Sequence, residues 1–439
     1  MSQPSSNKKN LGAILLTLFL DLVGFSIIFP LFPGMLEFYF DTSADSGILS
    51  WAVPFLSGLT DGDPFKTAVL FGGILGSLYS LMQFVFSPIW GKRSDRVGRK
   101  SVLKITILGT ALSYLVWVFS GSFELLVLGR LLGGIMAGNI SVATAAVADM
   151  TTKQNRAKGM ALVGITFGVG FIVGPAFGAL LSLVNILDYA PALESYGINP
   201  FSVPALVALL LTLVNFVWLK SRFTESLEEA NRYKSEAKGG FAAALDLFTV
   251  KEPGIRQVNW VYLIFITAFS GMEFTLTFLA AERFFYSPAQ NGYIFLYAGF
   301  IMILVQGGIV RRFTPKIGEK RMAIIGLGFG IVAFLFLSRA ETQFLFYFSL
   351  TLMAIAGGLV NPSLTSLVSL YSSDDKQGAH LGLFRSAGSL ARAIGPLFAA
   401  GLYWYFGSDV AYLFASLVII IPLYRSFMLP LPNKEENVI

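Results

Sequence analysis

Residues 91–100 read Gly91-Lys92-Arg93-Ser94-Asp95-Arg96-Val97-Gly98-Arg99-Lys100. Five bases surround one acid, and glycines stand at 91 and 98. A residue without Cβ suits tight turns beside helix ends. Apolar stretches 67–90 and 102–120 flank this decapeptide. Each supplies the ~20 mostly apolar residues that a membrane-spanning helix needs. The decapeptide is therefore a short basic connection between two spans, and Lys and Arg gather in cytoplasmic connections.

The whole chain agrees with that reading. Of 439 residues, 55% are hydrophobic and only 13% charged, where a soluble domain carries about 25% charged residues. That excludes a soluble enzyme, a disordered chain and a fibrous repeat. There is no cysteine and a single histidine, His380, so no thiolate or multi-histidine metal site is available and no cofactor is expected. No catalytic residue set is expected either. The net charge of +6 sits in short connections rather than on a basic soluble face, so no nucleic-acid partner is expected. The polar start, MSQPSSNKKN, precedes an apolar segment too long for a signal peptide, and an uncleaved first span is expected.

Working outward gives twelve apolar segments and an all-α fold. They are 11–33, 67–90, 102–120, 123–148, 157–182 and 203–221, then 258–281, 291–310, 322–338, 343–369, 379–406 and 410–429. The connections 91–101, 149–156, 222–257, 311–321 and 370–378 share one side. Two of them carry most of the bases, while the other side shows only Lys66, Arg283 and Arg339. Both termini are thus expected in the cytoplasm. The sequence predicts a first six-helix bundle over 1–221, a cytoplasmic linker over 222–257 and a second bundle over 258–439. Within the linker, residues 239–249 suit a short helix at the membrane surface. Residues 46–59 in the long connection 34–66 suit a second one, a partial lid. Gly174-Pro175 and Gly395-Pro396 stand 221 residues apart, and Gly98 and Gly318 stand 220 apart. This spacing predicts an internal duplication, the arrangement in which transporters place a site between halves.

The decapeptide resembles the signature loop between helices two and three of the major facilitator superfamily. Gly91, Asp95, Arg96, Gly98, Arg99 and Lys100 match its pattern, and Arg93 stands where the pattern has Leu. Asp21-Leu22-Val23-Gly24-Phe25 with Pro30 and Pro33 resembles helix one of the drug:proton antiporter group, in its tetracycline-transporter-like branch. Gly129-Arg130-Leu131-Leu132-Gly133-Gly134, running on to Asp149, resembles the helix-four motif of that group. Gly164, Gly168, Gly170, Gly174, Pro175 and Gly178 resemble its helix-five motif. The resemblance implies two six-helix bundles, a proton-coupling role for Arg130, and a conformational role for the signature loop, Asp149, Gly170, Gly174 and Pro175. Tetracycline exporters of this branch carry further acids in helices three and nine. Residues 102–120 and 322–338 contain none, so a chelated metal–drug complex lacks those partners here.

Ionisable residues inside a membrane are expensive and mark functional sites. Asp21 lies ten residues into its span, ~15 Å deep, with no base one helical turn away. Glu273 lies fifteen residues into helix seven. Both are candidates for reversible protonation, and each has the alternative of a structural hydrogen bond or a snorkelling side chain. Arg130, Arg385 and Arg392 are the embedded bases, and each needs a partner inside the protein. Arg392 and Arg385, with Gln83, Asn139 and Asn361, are candidates for a substrate cavity. The polar three serve equally as interhelical hydrogen bonders.

The expected function is proton-coupled export of small organic or amphipathic compounds by alternating access. An organic-anion or metabolite carrier, working as symporter or facilitator, is the alternative that Arg385 and Arg392 favour. The expected partners are a small-molecule substrate, protons and the lipid bilayer. The expected state is a monomer in a plasma membrane, the inner membrane in a bacterium.

Overall fold

The computed structural model describes residues 4–43, 46–151, 156–227, 249–372 and 377–431, and among these there is no strand. Most of the linker, including residues 239–248 of the surface helix expected at 239–249, lies outside the described residues. Eleven helices are long and apolar enough to cross a membrane. The last, Gln377–Phe427, is two helices joined at Gly407, whose backbone turns at φ 81°, ψ 169°. A straight helix of that length would run ~75 Å, more than twice a hydrocarbon core of ~30 Å. The break therefore gives helices eleven and twelve, and the described residues hold twelve spans.

Helix one is Pro4–Ser26, helix two Pro64–Val97, helix three Arg99–Val118, helix five Arg156–Leu181 and helix six Ser202–Arg222. Helix seven is Pro253–Phe284, helix nine Glu319–Ser338 and helix ten Gln343–Tyr371. Three spans are interrupted where uniform helix was expected. Helix one ends before Pro30 and Pro33, passes through a short turn at Phe29–Leu31 and restarts as Phe32–Ser43. The prolines have no N–H to continue the ladder. Helix four is split into Phe123–Met136 and Asn139–Met150. Here the Trp90 indole donates to the Ile135 carbonyl at 2.7 Å, taking the acceptor that the Asn139 N–H would use in a continuous helix. Helix eight runs Pro288–Leu304, a π-turn Val305–Val310 and Arg311–Ile317. Such turns recur at functional sites.

The duplication is visible in the geometry. Gly98 and Gly318 close helices two and eight with nearly the same backbone angles, φ 98°, ψ 150° and φ 88°, ψ 151°. The Ser26 hydroxyl on helix one donates to the Gly170 carbonyl on helix five at 3.3 Å. The Ser270 hydroxyl on helix seven donates to the Ala391 carbonyl on helix eleven at the same 3.3 Å. Gly170 and Ala391 are again 221 residues apart. Gly174 lies against the Val23 carbonyl and Gly395 against the Thr267 carbonyl, so any Cβ there would push the first helix of each half away.

The two membrane faces differ. On the face carrying the acidic connections the halves are closed together. Gly73 of helix two abuts Ala400 and Pro396 of helix eleven, and Gly292 and Gly299 of helix eight abut Ala179 and Ile172 of helix five. A short helix, Leu49–Leu59, buries Leu49, Ala52 and Leu56 and leaves Trp51 and Phe55 exposed. Its N-terminus is tied to Glu124 through the Ile48 N–H at 2.6 Å. Its far end accepts from the Trp404 indole of helix eleven at 3.2 Å, so it links both halves. On the face carrying the basic connections, by contrast, Gly307, Gly308 and Gly382 have no atom within 4 Å of where a Cβ would stand.

Candidate functional site

A cavity of about 470 Å³ opens within the second half, walled on one side by helix five. Drug-sized ligands occupy cavities of this size. Helices seven, eight, ten and eleven supply the other walls. Its closed end is apolar, with Leu276, Ile294 and Leu350, and Ile266 and Phe269 add apolar wall nearer the open face. Toward the basic face the wall turns polar. Asn361, Thr365 and Ser369 line it at four-residue spacing on helix ten, and Gln306 faces from the π-turn of helix eight. Pro362 inside helix ten loosens the ladder beside them.

Three charged side chains reach this space: Glu273, Arg385 and Arg392. The Arg392 guanidinium carbon lies 5.0 Å from the Phe171 ring centroid, and that of Arg385 lies 5.0 Å from the Phe167 centroid. Both arginines thus stack on aromatic faces of helix five, which attract cations through the ring quadrupole. Glu273 and Arg392 share the cavity without forming an ion pair with each other, and Arg385 forms none with any described residue. The Arg392 Nε is buried without a hydrogen-bond partner. An unsatisfied buried donor of this kind costs ~1–3 kcal/mol or more. Tyr262, stacked on Phe384 at 3.9 Å, lines the same wall beside Arg385.

Asp21 sits elsewhere. Its two oxygens accept from Asn139 Nδ2 at 2.6 Å and Asn215 Nδ2 at 3.2 Å, and the residue is buried among helices one, four and six. Arg130 is also buried, its guanidinium 4.6 Å from the Tyr79 ring centroid and 6.0 Å from that of Phe25. Arg130 Nε and Nη2, Tyr114 Oη, Thr17 Oγ1 and Asn215 Oδ1 have no partner. So many unmatched polar atoms around one acid and one base describe a polar interior compartment of the first half. Asp21 and Arg130 do not line the cavity. Asn139 and Gln83, expected at a substrate cavity, are not among the residues lining this one. Asn139 spends its amide on Asp21, and Gln83 projects from helix two, which contributes no wall. Asn361 lines the cavity as expected, its Oδ1 unpartnered.

The signature loop forms a compact cluster. Arg99 donates through Nη1 to Asp95 and through Nε to Asp149 at 2.9 Å. Gly98 and Arg99 are buried while Arg96 is exposed in the last turn of helix two. Gly91 is loosely packed, its nearest neighbour being the Ser141 hydroxyl. Gly170 is pressed against Leu22, Gly174 against Ser26, and Pro175 stands inside helix five. Sequence reasoning missed Glu225. Its carboxylate accepts from the Arg99 and Lys100 backbone N–H groups at 2.9 and 3.1 Å, fastening the first residues of the linker to the start of helix three. It also missed Asn215 and Tyr79, although a polar residue within the apolar run of helix six was a readable signal. Among the described residues no three His, Asp or Glu side chains stand together as metal ligands.

Comparison with known proteins now places the chain. The profile of the Major Facilitator Superfamily matches residues 14–338 and 311–438. Mouse major facilitator superfamily domain-containing protein 10 is 32% identical, over 99% of this chain and 96% of its own. The Escherichia coli tetracycline resistance protein, class B, is 29% identical over 89% of this chain and 87% of its own. The crystal structure of the human organic anion transporter MFSD10 (TETRAN) superposes with a TM-score of 0.77 at 31% identity, covering 97% of this chain and 100% of that one. These likenesses describe a multi-pass membrane transporter and not an enzyme. The chain belongs to the major facilitator superfamily, in its tetracycline-transporter-like branch.

Proposed function

We propose that this protein carries small amphipathic organic anions by alternating access, and that a proton on Glu273 travels with the anion. The carrying observation is the charge balance of the cavity. Two guanidinium groups face one carboxyl in an otherwise largely apolar space, and the Arg392 Nε waits without a partner. A carboxylate, sulfonate or phosphate group suits these guanidinium groups, because Arg donates in a planar fork that matches such groups. The relative described as an organic anion transporter supports the same chemistry.

The sign of the coupling follows from electrostatics. An ionised Glu273 offsets the arginines' field and repels an anion. A neutral Glu273 leaves that field uncompensated and favours the anion. Proton and anion therefore strengthen each other's binding, reciprocally. An antiporter needs the opposite, competition between proton and substrate for one carrier. The export expected from the sequence rested on Asp21 as coupling acid, but Asp21 is separated from the cavity and held by two asparagines. We assign the coupling to Glu273 and leave Asp21 and Arg130 to hold the first half together. The basic face is then cytoplasmic, in keeping with the placement of Lys and Arg.

Proteoliposomes holding the protein and loaded with a pH dye test this reading. A fluorescent carboxylate is expected to move down an imposed proton gradient and to carry protons with it. Glu273→Gln is expected to keep anion exchange and lose the response to the gradient. Anion movement against the proton flow, or preference for an organic cation, overturns the proposal.

A further inference from the structure

The short helix Leu49–Leu59 is fastened to opposite halves by its two ends. A helix leaves its first N–H groups and its last carbonyls without internal partners. At the start, the Ile48 N–H donates to the Glu124 carboxylate of helix four. Just past the end, Thr60 and Thr67 join their hydroxyls at 2.6 Å, which fixes it to helix two. Both contacts belong to the first half. The Leu59 carbonyl instead accepts from the Trp404 indole of the second half at 3.2 Å. The surroundings of Trp404 are themselves bonded to helix seven. Tyr403 donates to Glu282 of that helix, and Arg283 donates to Ser408 at 3.0 Å and to Asp409. A pull on Trp404 is therefore carried into helix seven.

The outer face of the short helix is apolar. Residues 46–60 contain no charged side chain. Leu49, Ala52 and Leu56 are buried, while Trp51 and Phe55 are 64% and 63% exposed and Leu59 is 46% exposed. Their four-residue spacing sets these three in one stripe. The helix follows Ser43, the end of helix one, and precedes Pro64, the start of helix two, so it lies at the level where spans end. Phe285 closing helix seven, Phe344 opening helix ten, and Tyr405 and Phe406 closing helix eleven are exposed at the same level. Aromatic rings gather at headgroup depth, where one side meets hydrocarbon and the other water.

We infer that the stripe Trp51–Phe55–Leu59 rests in the lipid leaflet on the acidic face, and that its helix is a membrane-seated clasp holding the two halves closed there. Lipid is the occupant because the stripe continues the aromatic ring at the span ends. It has no charge for a protein partner to read, and its one polar side-chain atom, the Trp51 indole N–H, suits a headgroup oxygen. The inference rests on alternating access, part of the reading above, since a clasp acts only if the acidic face opens. Opening there takes Gly73 away from Ala400 and breaks the bond from Trp404 to Leu59. Opening toward the basic face leaves that bond whole.

The chain has no cysteine, so one introduced thiol reports the opening. Ala400 is buried against Gly73 of the other half, and Ala400→Cys reacts with a water-soluble maleimide when the halves part on the acidic face. In lipid nanodiscs, adding Trp404→Phe, which removes the donor and keeps a ring, is expected to speed that reaction about fivefold, ~1 kcal/mol, the net worth of one hydrogen bond. Adding Trp51→Ser with Phe55→Ser is expected to speed it too, with the bond left in place. Trp218→Phe, on helix six, is expected to change nothing. The lipid seat is read separately. Lipid brominated high on its acyl chains is expected to quench the tryptophan fluorescence of the unaltered protein more than that of Trp51→Phe. Equal quenching puts the stripe in water or against another protein and overturns the seat. A thiol that reacts at one rate in every variant overturns the clasp and leaves alternating access standing. A thiol that reacts in none of them, but does so on unfolding, shows that the acidic face stays shut, and alternating access fails with the clasp.

Discussion

The guanidinium of Arg392 on helix eleven rests 5.0 Å from the ring centroid of Phe171 on helix five, and the two residues occupy equivalent positions in the duplicated halves, 221 residues apart. Gly164 and Arg385, also 221 apart, meet in the same way one depth further toward the basic face. Residues at equivalent positions of the two halves thus face each other across the centre, and they differ in chemistry. One half presents an aromatic ring or bare backbone, the other a cation. On the proposed function, the pseudo-symmetric frame would supply the alternation between two faces and this asymmetry the selectivity of the cavity.

Arg392 is therefore expected to discriminate between ligand charges. Arg392→Ala should weaken binding of an organic carboxylate by ~1.5–3 kcal/mol, the worth of a hydrogen bond to a charged group. Arg392→Lys should restore only part of this, because an ammonium lacks the planar face that stacks on Phe171. An uncharged ligand of the same shape should lose little in either variant. Isothermal titration with the matched pair of ligands checks the difference. Equal losses for both, with a fall in thermal stability, would make Arg392 structural.

Asp21 should behave differently from Glu273. Asp21→Asn is expected to fold normally, because the Asn215 amide has an unpartnered Oδ1 and can turn to accept from the new amide. It is also expected to keep the response to a proton gradient. Asp21→Leu removes the acceptor of Asn139 and Asn215 and should cost ~1–3 kcal/mol, the penalty for buried donors left unpaired. Thermal unfolding and gradient-driven uptake, measured on both variants, separate the two roles. Loss of the gradient response in Asp21→Asn would move the coupling acid back to the first half.

The sequence is most legible where composition and spacing carry the signal. Long apolar runs set the spans, glycines at 98 and 318 set the repeat, and Arg385, Arg392 and Glu273 announce themselves as charges in apolar surroundings. What it hides is which way a side chain turns. Asp21, Asn139 and Glu273 look alike as polar residues in apolar helices, yet only Glu273 reaches the cavity, because Asp21 turns toward helix six. The break in helix four is equally silent, since its cause is Trp90, a residue of another helix. Glu225 is hidden because charge-rich linkers rarely show which of their acids finds a helix end.

The two glycines that close helices two and eight give a paired prediction. At φ near 90° and ψ near 150° any other residue is strained by ~1–3 kcal/mol, so Gly98→Ala and Gly318→Ala should both lower the unfolding temperature. Gly98→Ala should cost more. Its Cβ would overlap the Glu225 carboxylate, whereas a Cβ at Gly318 meets open space. Similar losses in the two variants would show that the Glu225 contact yields freely.

Glu225 itself should act as a cap supplied by the linker. A helix start leaves backbone N–H groups without partners, and helix three has no side-chain cap of its own at Gly98. Glu225 fills the place of one with both oxygens, on Arg99 and Lys100, and its charge suits the positive end of the helix dipole. The neighbouring Ser226 hydroxyl reaches Asp149 at 3.4 Å, so the linker joins the same cluster as Asp95 and Arg99. Glu225→Ala should cost ~0.5–2 kcal/mol, the range for loss of a cap. Glu225→Gln should cost less, since one oxygen still accepts. Hydrogen exchange reports the contact directly, with the Arg99 and Lys100 amides expected to exchange faster in Glu225→Ala than in the unaltered protein. Unchanged exchange and an unchanged unfolding temperature would mean that the linker rests on helix three without holding it.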